Sequence, residues 1–299
     1  MTAAPHRPLA AALWMTGSIA SFSAMAVAGR AVSHLHDTFE IMAWRSAVGL
    51  IIVVTLAMAT RRLPEIRCTR LRQHVLRNLF HFTGQNLWFW ALTAIPLAQV
   101  FALEFTSPIW VILLSPFFLG ERITPARALA ATMGFAGILI VARPDFTALN
   151  PGIVAAGASA VCFAATIIMT KTLTRGESIV SILFWLTLMQ LCFGLIAAGH
   201  DGVMAWPDGS TLPWLLLIGA AGVFAHFCLT TALSLASASI VVPIDFARLP
   251  VIAVIGVLLY DEPLDFLVIL GGCVIFFANW INIRAENRAR RPHLQSAKL

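Results

Sequence analysis

Apolar runs of similar length, broken by short clusters of charged and turn-forming residues, fill most of this chain. A helix needs about 20 mainly apolar residues to cross about 30 Å of hydrocarbon, so each such run predicts a membrane-spanning helix. Ten are predicted: Leu9–Gly29, Ile41–Thr60, Val75–Ile95, Leu97–Leu119, Ala126–Val141, Gly152–Thr172, Ile179–Gly199, Pro213–Leu235, Ile240–Tyr260 and Phe266–Ile283. Few positions inside them are polar, and those few carry the information. The stretch FALEFTSPIWVILLSPFF places Glu104 in one apolar run, and VVPIDFARLPVIAVIGVLL places Asp245 and Arg248 in another.

Composition agrees with the pattern. Of 299 residues, 59% are hydrophobic and 11% charged, with a mean hydropathy of +0.86, against roughly 25% charged in soluble domains. The net charge of +6 is distributed by loop. With the N-terminus in the cytoplasm, Arg61 to Arg77, Arg122, Arg127, Lys171, Arg175 and the tail Arg284 to Lys298 fall inside, while Arg30 and Arg143 fall outside. This bias predicts a bacterial cytoplasmic-membrane protein with both termini inside. The basic clusters read as contacts to anionic lipid, not to nucleic acid. Cys68, Cys162, Cys192, Cys228 and Cys273 show no paired spacing, so neither a disulfide framework, a metal site nor a cofactor is expected.

Shifting the chain against itself by 141 residues aligns Ser18 with Ser159, Phe22 with Phe163, Arg30 with Lys171, Trp44 with Trp185, Gln85 with His226, Glu104 with Asp245 and Glu121 with Glu262. The two halves, 1–146 and 147–299, then hold five spans each. An odd number makes the second half enter the membrane from the opposite side. The expected fold class is an all-α membrane protein with ten transmembrane helices, as two inverted five-helix repeats around a central cavity. The register also weighs against a cleaved leader ending near Ala24-Met25-Ala26, because the counterpart of the first span lies in mid-chain.

Five plus five spans, LGERIT at Leu119–Thr124, its echo YDEPLD at Tyr260–Asp265, FEIMAWR at Phe39–Arg45 and the Arg30/Lys171 pair resemble the drug/metabolite transporter superfamily, specifically its EamA-type members. The resemblance covers about positions 10–284. Within that group the chain is similar to YddG-type exporters of aromatic and other neutral amino acids. The resemblance implies a ten-helix bundle with its first, third, fourth, sixth, eighth and ninth helices around a cavity, and outward movement of metabolites. Leu186 stands where the repeat would put a second Arg45, so a role for Arg45 is confined to one half.

A carboxylate within hydrocarbon costs at least about 2.5–3.5 kcal/mol on insertion scales, so Glu104 should face protein or water and have a partner. One reading makes it a proton or substrate-amine site, with protons as coupling ion; the other pairs it with Arg45. Asp245 and Arg248 can pair on one helix face, or Arg248 can hold a substrate carboxylate while Asp245 or Glu104 takes the amine. Asn78, His81, Gln85 and Trp88 form a stripe on the third helix, answered by Gly219, Gly222, His226, Thr230 and Ser234 on the eighth. Such stripes either line a pore or bind helices together. Ser18, Phe22, Met25 and Gly29 share a face of the first helix, and Ser159, Phe163, Thr166 and Thr170 one of the sixth, suiting an amphipathic ligand or close packing. Pro108, Pro243 and Pro250 should kink their helices. Arg30, Lys171, Glu121 and Glu262 stand at span ends and read as helix-end and loop-ordering groups.

These readings converge on a secondary transporter that exports small neutral or zwitterionic metabolites, amino acids foremost, by alternating access. The alternative is a multidrug pump for organic cations, with Glu104 and Asp245 dominating the site. An enzyme is disfavoured, because the chain has no HExxH, no GxSxG, no clustered metal ligands and no phosphate loop.

Overall fold

The structure is a computed structural model that describes residues 7–119, 124–142, 150–173, 176–200, 204–235, 244–245 and 247–296. The helices are α1 (Pro8–Val32), α2 (Thr38–Ala59), α3 (Leu71–Ala94), α4 (Leu97–Glu104), α5 (Ser107–Leu119), α6 (Pro125–Ala142), α7 (Pro151–Leu173), α8 (Ile179–Ala198), α9 (Leu212–Leu235), α10 (Arg248–Tyr260) and α11 (Phe266–Ser296). No strand occurs among the described residues. α1, α2, α7, α8 and α9 are long and apolar enough to cross a membrane, and shorter apolar segments lie at Leu97–Val111, Ala128–Val141, Arg248–Tyr260 and Phe266–Ile281.

α3 is more polar, and the structure shows where its polar stripe goes. His74, Arg77, Asn78, His81, Gln85 and Asn86 are buried, while Leu79 and Trp90 on the same helix are exposed, as are Ile51, Ile196, Phe224 and Leu258 elsewhere. Water would reverse this arrangement; hydrocarbon around the molecule and polar groups inside select it. The chain is a multi-pass membrane protein.

The predicted span Leu97–Leu119 is two helices, α4 and α5. Pro108 has no N–H to offer the carbonyl four residues back, which is that of Glu104. The Ser107 hydroxyl donates to that carbonyl instead. Glu104 therefore ends a helix at a break. The break recurs in the second half: α10 starts at Arg248, which is Ser107 plus 141, and ends at Tyr260, which is Leu119 plus 141. α11 runs beyond the predicted end at Ile283 into the basic tail, because hydropathy marks the apolar part of a helix and not its cap.

The most extensive packings join one helix from α1–α6 to one from α7–α11: α1 with α9, α3 with α7, α6 with α11 and α2 with α8. Under the shift of 141, α1 with α9 exchanges into α7 with α3, and the other two pairs map onto themselves. Close approach of α2 and α8 depends on Gly194, where an added Cβ would stand 2.9 Å from the Ala43 backbone. The shift holds even for hydrogen bonds. Ala205 N donates to the Glu40 carboxylate and Trp44 Nε1 to the Ala205 carbonyl at 3.4 Å. The counterparts of Glu40 and Trp44, Ser181 and Trp185, hold a loop in the same way, with Arg67 N donating to Ser181 Oγ at 3.2 Å and Trp185 Nε1 to the Arg67 carbonyl at 2.9 Å, although Arg67 lies three positions beyond Pro64, the counterpart of Ala205. The same two positions of α2 and α8 thus each pin a loop belonging to the other half.

Candidate functional site

The helix breaks put charge at the centre of the molecule. Arg248 Nη2, at the start of α10, lies 2.9 Å from Asp245 Oδ2 and 3.1 Å from Glu104 Oε1. Trp88 Nε1 of α3 donates to the other Glu104 oxygen at 2.8 Å. The guanidinium is caged by the rings of Phe22, Phe101 and Phe105, with centroids 4.8, 5.1 and 5.0 Å away. Rings and two carboxylates together let a cation exist at this depth. The expected pairing of Glu104 with Arg45 does not form; the helix break turns Glu104 towards α10. Both acids meet Arg248 through its Nη2, while its Nε is buried without a partner among the described residues.

From this cluster a line of rings runs across the interior. The Phe22 ring meets His226 edge-on at 5.6 Å, His226 meets His81 at 5.6 Å, and His81 meets Phe163 at 6.1 Å. α1, α9, α3 and α7 contribute one member each. Around the line, buried polar atoms lack protein partners: Ser18 Oγ, both His81 ring nitrogens, Gln85 Oε1 and His226 Nε2. Buried polar groups are normally paired, and among the described residues these five atoms are not.

Other predicted members divide differently. Ser159 Oγ donates to the Ala156 carbonyl, Thr166 Oγ1 to Cys162, Thr170 Oγ1 to Thr166 and Thr230 Oγ1 to His226, each returning to its own helix backbone. Asn78 binds helices together: its Nδ2 donates to the Trp185 carbonyl at 3.4 Å, and its own carbonyl accepts from Gln190 Nε2 at 2.8 Å. Met25 is core. Gly29 is a close-packing position, since a Cβ there would stand 2.5 Å from the Phe89 ring.

Arg45 of α2 lies beside a narrow cavity of about 10 Å³ whose lining includes Ser46, Thr187, Gln190, Gly222 and His226. The sequence reading did not single out Gln190, although it is one of few polar residues in the apolar α8 run. Trp88 belongs to the hydrophobic core, and Phe22 and Phe163 pack against it. A wider depression of about 420 Å³ opens at the far ends of α1, α3 and α10, against Arg30, Tyr260 and Glu262.

There Arg30 pairs with Glu262 and donates to the carbonyls of Leu92 and Ile95 at 2.6 and 2.8 Å. Glu262 also accepts from Leu97 N at 2.9 Å, which caps α4. The pair joins α1, α4 and the turn after α10. Glu121 lies outside the described residues, and of Lys171 only its place near the end of α7 is described.

The EamA-like transporter family matches the chain twice, over residues 9–143 and 150–284. Both ends of the match repeat at an offset of 141, the shift read from the sequence. The chain belongs to this family. A riboflavin transporter of Brucella anthropi is 33% identical over 219 residues, covering 71% of this chain and 76% of that protein. An S-adenosylmethionine uptake transporter of Rickettsia felis is 26% identical, covering 92% and 93%, and a pseudopaline exporter of Pseudomonas aeruginosa is 27% identical, covering 86% and 90%. A solved crystal structure superposes with a TM-score of 0.65 at 20% identity, over 93% of this chain and 98% of that one. The EamA-like protein described here is thus a membrane transporter, and none of these three relatives is named for amino-acid export.

Proposed function

We propose that this protein is a secondary transporter for a planar heteroaromatic metabolite of the flavin class, moved across the bacterial cytoplasmic membrane by alternating access. The observation that carries the reading is the line Phe22, His226, His81 and Phe163, flanked by unpartnered atoms of Ser18 and Gln85. Rings offer stacking faces to a flat ligand, and the free donors and acceptors suit a neutral ring system edged with carbonyls and ring nitrogens. The riboflavin transporter among the relatives supports this class. The amino-acid reading relied on Arg248 as carboxylate fork, and Glu104 and Asp245 already hold its Nη2. The organic-cation reading needs those same carboxylates uncommitted.

In the membrane we place ten spans in two halves, 1–146 and 147–299, inserted in opposite directions with both termini in the cytoplasm. Support comes from the exchange of helix packings under the shift of 141, the equivalent loop contacts of Trp44 and Trp185, and the repeated break beside Glu104 and Asp245. Broken helices facing each other at mid-membrane are where inverted-repeat transporters bind their cargo.

Counterflow in proteoliposomes tests the substrate. Liposomes preloaded with unlabelled riboflavin should accumulate labelled riboflavin, and preloading with S-adenosylmethionine, phenylalanine or a quaternary ammonium ion should not substitute for it. Exchange driven only by phenylalanine would restore the amino-acid reading. A proton role for Glu104 requires that a pH gradient change the flux and that Glu104→Gln abolish that change.

A further inference from the structure

We propose that the cavity between α2, α8 and α9 is a binding site for one small anionic group, held by the Arg45 guanidinium. Arg45 is 6% exposed, and among the described residues no ion pair or hydrogen bond to it is found. Its Nε is buried without a partner, and so are Ser46 Oγ, Gln190 Oε1 and His226 Nε2, all on the wall of the same cavity. A buried cation is ordinarily paired, since leaving it bare costs its lost hydration. The interior carboxylates are already engaged: Glu104 and Asp245 by Arg248, and Glu40 by Ala205 N and the Asp37 backbone N–H. Among the described residues no carboxylate is left to supply the missing charge, and the proposed anion supplies it from outside the chain.

The cavity suits such a group in size and in shape. Its volume of about 10 Å³ takes one water-sized group, such as a halide ion or a single carboxylate oxygen. Gly222 lets the guanidinium lie against α9, because a Cβ there would stand 2.9 Å from Arg45 Nε and Nη2. Ser46 Oγ and the Nε2–H of a neutral His226 can donate to the bound anion, while Gln190 Oε1 can accept from Arg45.

The site is also one-sided in a way that packing does not require. Arg45 and Leu186, Ser46 and Thr187, and Gly49 and Gln190 are equivalent under the shift of 141, and all six line the cavity. The seam between α2 and α8 is thus built from matched positions, yet only one side carries a cation. A brace would work with apolar groups on both sides; a single buried charge gives the cavity a sign.

One chemistry here has two sources, a free inorganic anion or the carboxylate of a carried molecule, and the test separates them. Purified protein is titrated with sodium chloride in place of sodium gluconate, whose anion exceeds the cavity, at constant ionic strength. A second titration compares phenylalanine with phenylalaninamide. Thermal unfolding is the readout, so the result does not depend on which metabolite is transported. Stabilisation by chloride assigns the site to a free ion, and stabilisation by phenylalanine but not its amide assigns it to a substrate carboxylate. Either effect should weaken at least tenfold in apparent affinity in Arg45→Gln and in Gly222→Ala, which keeps the charge but crowds it. No stabilisation of the wild type by either probe overturns the proposal, as does an equal response in wild type and Gly222→Ala.

Discussion

Glu104 and Arg248 stand 3.1 Å apart although 144 positions separate them in the chain. Their ion pair ties the broken end of α4 to the start of α10, and so ties one family match to the other. Arg248 is 4% exposed at its side chain and Glu104 15%. Removing one member of a buried pair costs about 3–5 kcal/mol, because the charge left behind is uncompensated. Arg248→Met should lower the melting temperature sharply in detergent. The double variant Glu104→Gln with Arg248→Met should recover part of that loss, and additive losses in the double-mutant cycle would show that the two do not act as a pair.

Trp88 is the other support of Glu104. Trp88→Phe keeps the ring but removes the indole N–H that reaches Glu104 Oε2, leaving a buried acceptor short of a donor, at about 1–3 kcal/mol. Trp90, two residues on, is 43% exposed, and Trp90→Phe should change stability by less than about 0.5 kcal/mol. Thermal melts of the two variants side by side measure the difference.

Two glycines separate packing from propensity. Gly194→Ala drives a methyl to within 2.9 Å of the Ala43 backbone and should destabilise by about 1–3 kcal/mol through forced separation of α2 and α8. At Gly157 a Cβ meets nothing within 4 Å, so Gly157→Ala should stabilise α7 by up to about 1 kcal/mol. Equal effects in a melting assay would refute the close approach of α2 and α8.

The loop contact at Glu177 should respond to acid. Burial pushes this carboxyl up, but hydrogen bonds from the Thr69 hydroxyl, the Ser181 hydroxyl and Thr69 N, with His74 nearby at 3.8 Å, outweigh it and hold it below its ordinary value. A depressed carboxyl contributes stability above its unfolded pKa of about 4.3, and that contribution is lost as pH falls through the lower folded value. The protection of the Thr69 amide against hydrogen exchange, relative to its intrinsic rate at each pH, should therefore fall on acidification below about pH 4.3. In Glu177→Gln that protection should already be low at neutral pH and should lack this acid-dependent step.

The repeat and the lone charges were legible in the sequence because hydrocarbon penalises polar groups so heavily that those remaining inside spans stand out against a uniform background. The shift of 141 recurs in the family match, in the helix packings and in the equivalent contacts of Trp44 and Trp185. Partner choice was less legible. Arg45 is one candidate mate for Glu104 because it is the other charge deep in the first half; Pro108 marks a kink, but nothing in the sequence shows that the break turns the acid towards Arg248. The sequence leaves Ser159, Thr166, Thr170 and Thr230 open between cavity lining and helix packing, and in the structure each hydroxyl donates to the preceding turn of its own helix.

The sequence by itself determined that the chain lives in a membrane, that it is built twice, and which residues cannot face lipid, since each follows from the local cost of burying or exposing a group. The spacing of Asp245 and Arg248 already allowed their pair; only the tertiary structure decided that Arg248 also reaches Glu104 and that no carboxylate among the described residues reaches Arg45. That choice depends on which helix faces meet across the two halves, and facing is set by close approaches such as Gly194 on Ala43 and Gly222 on Arg45, which no spacing along one chain records.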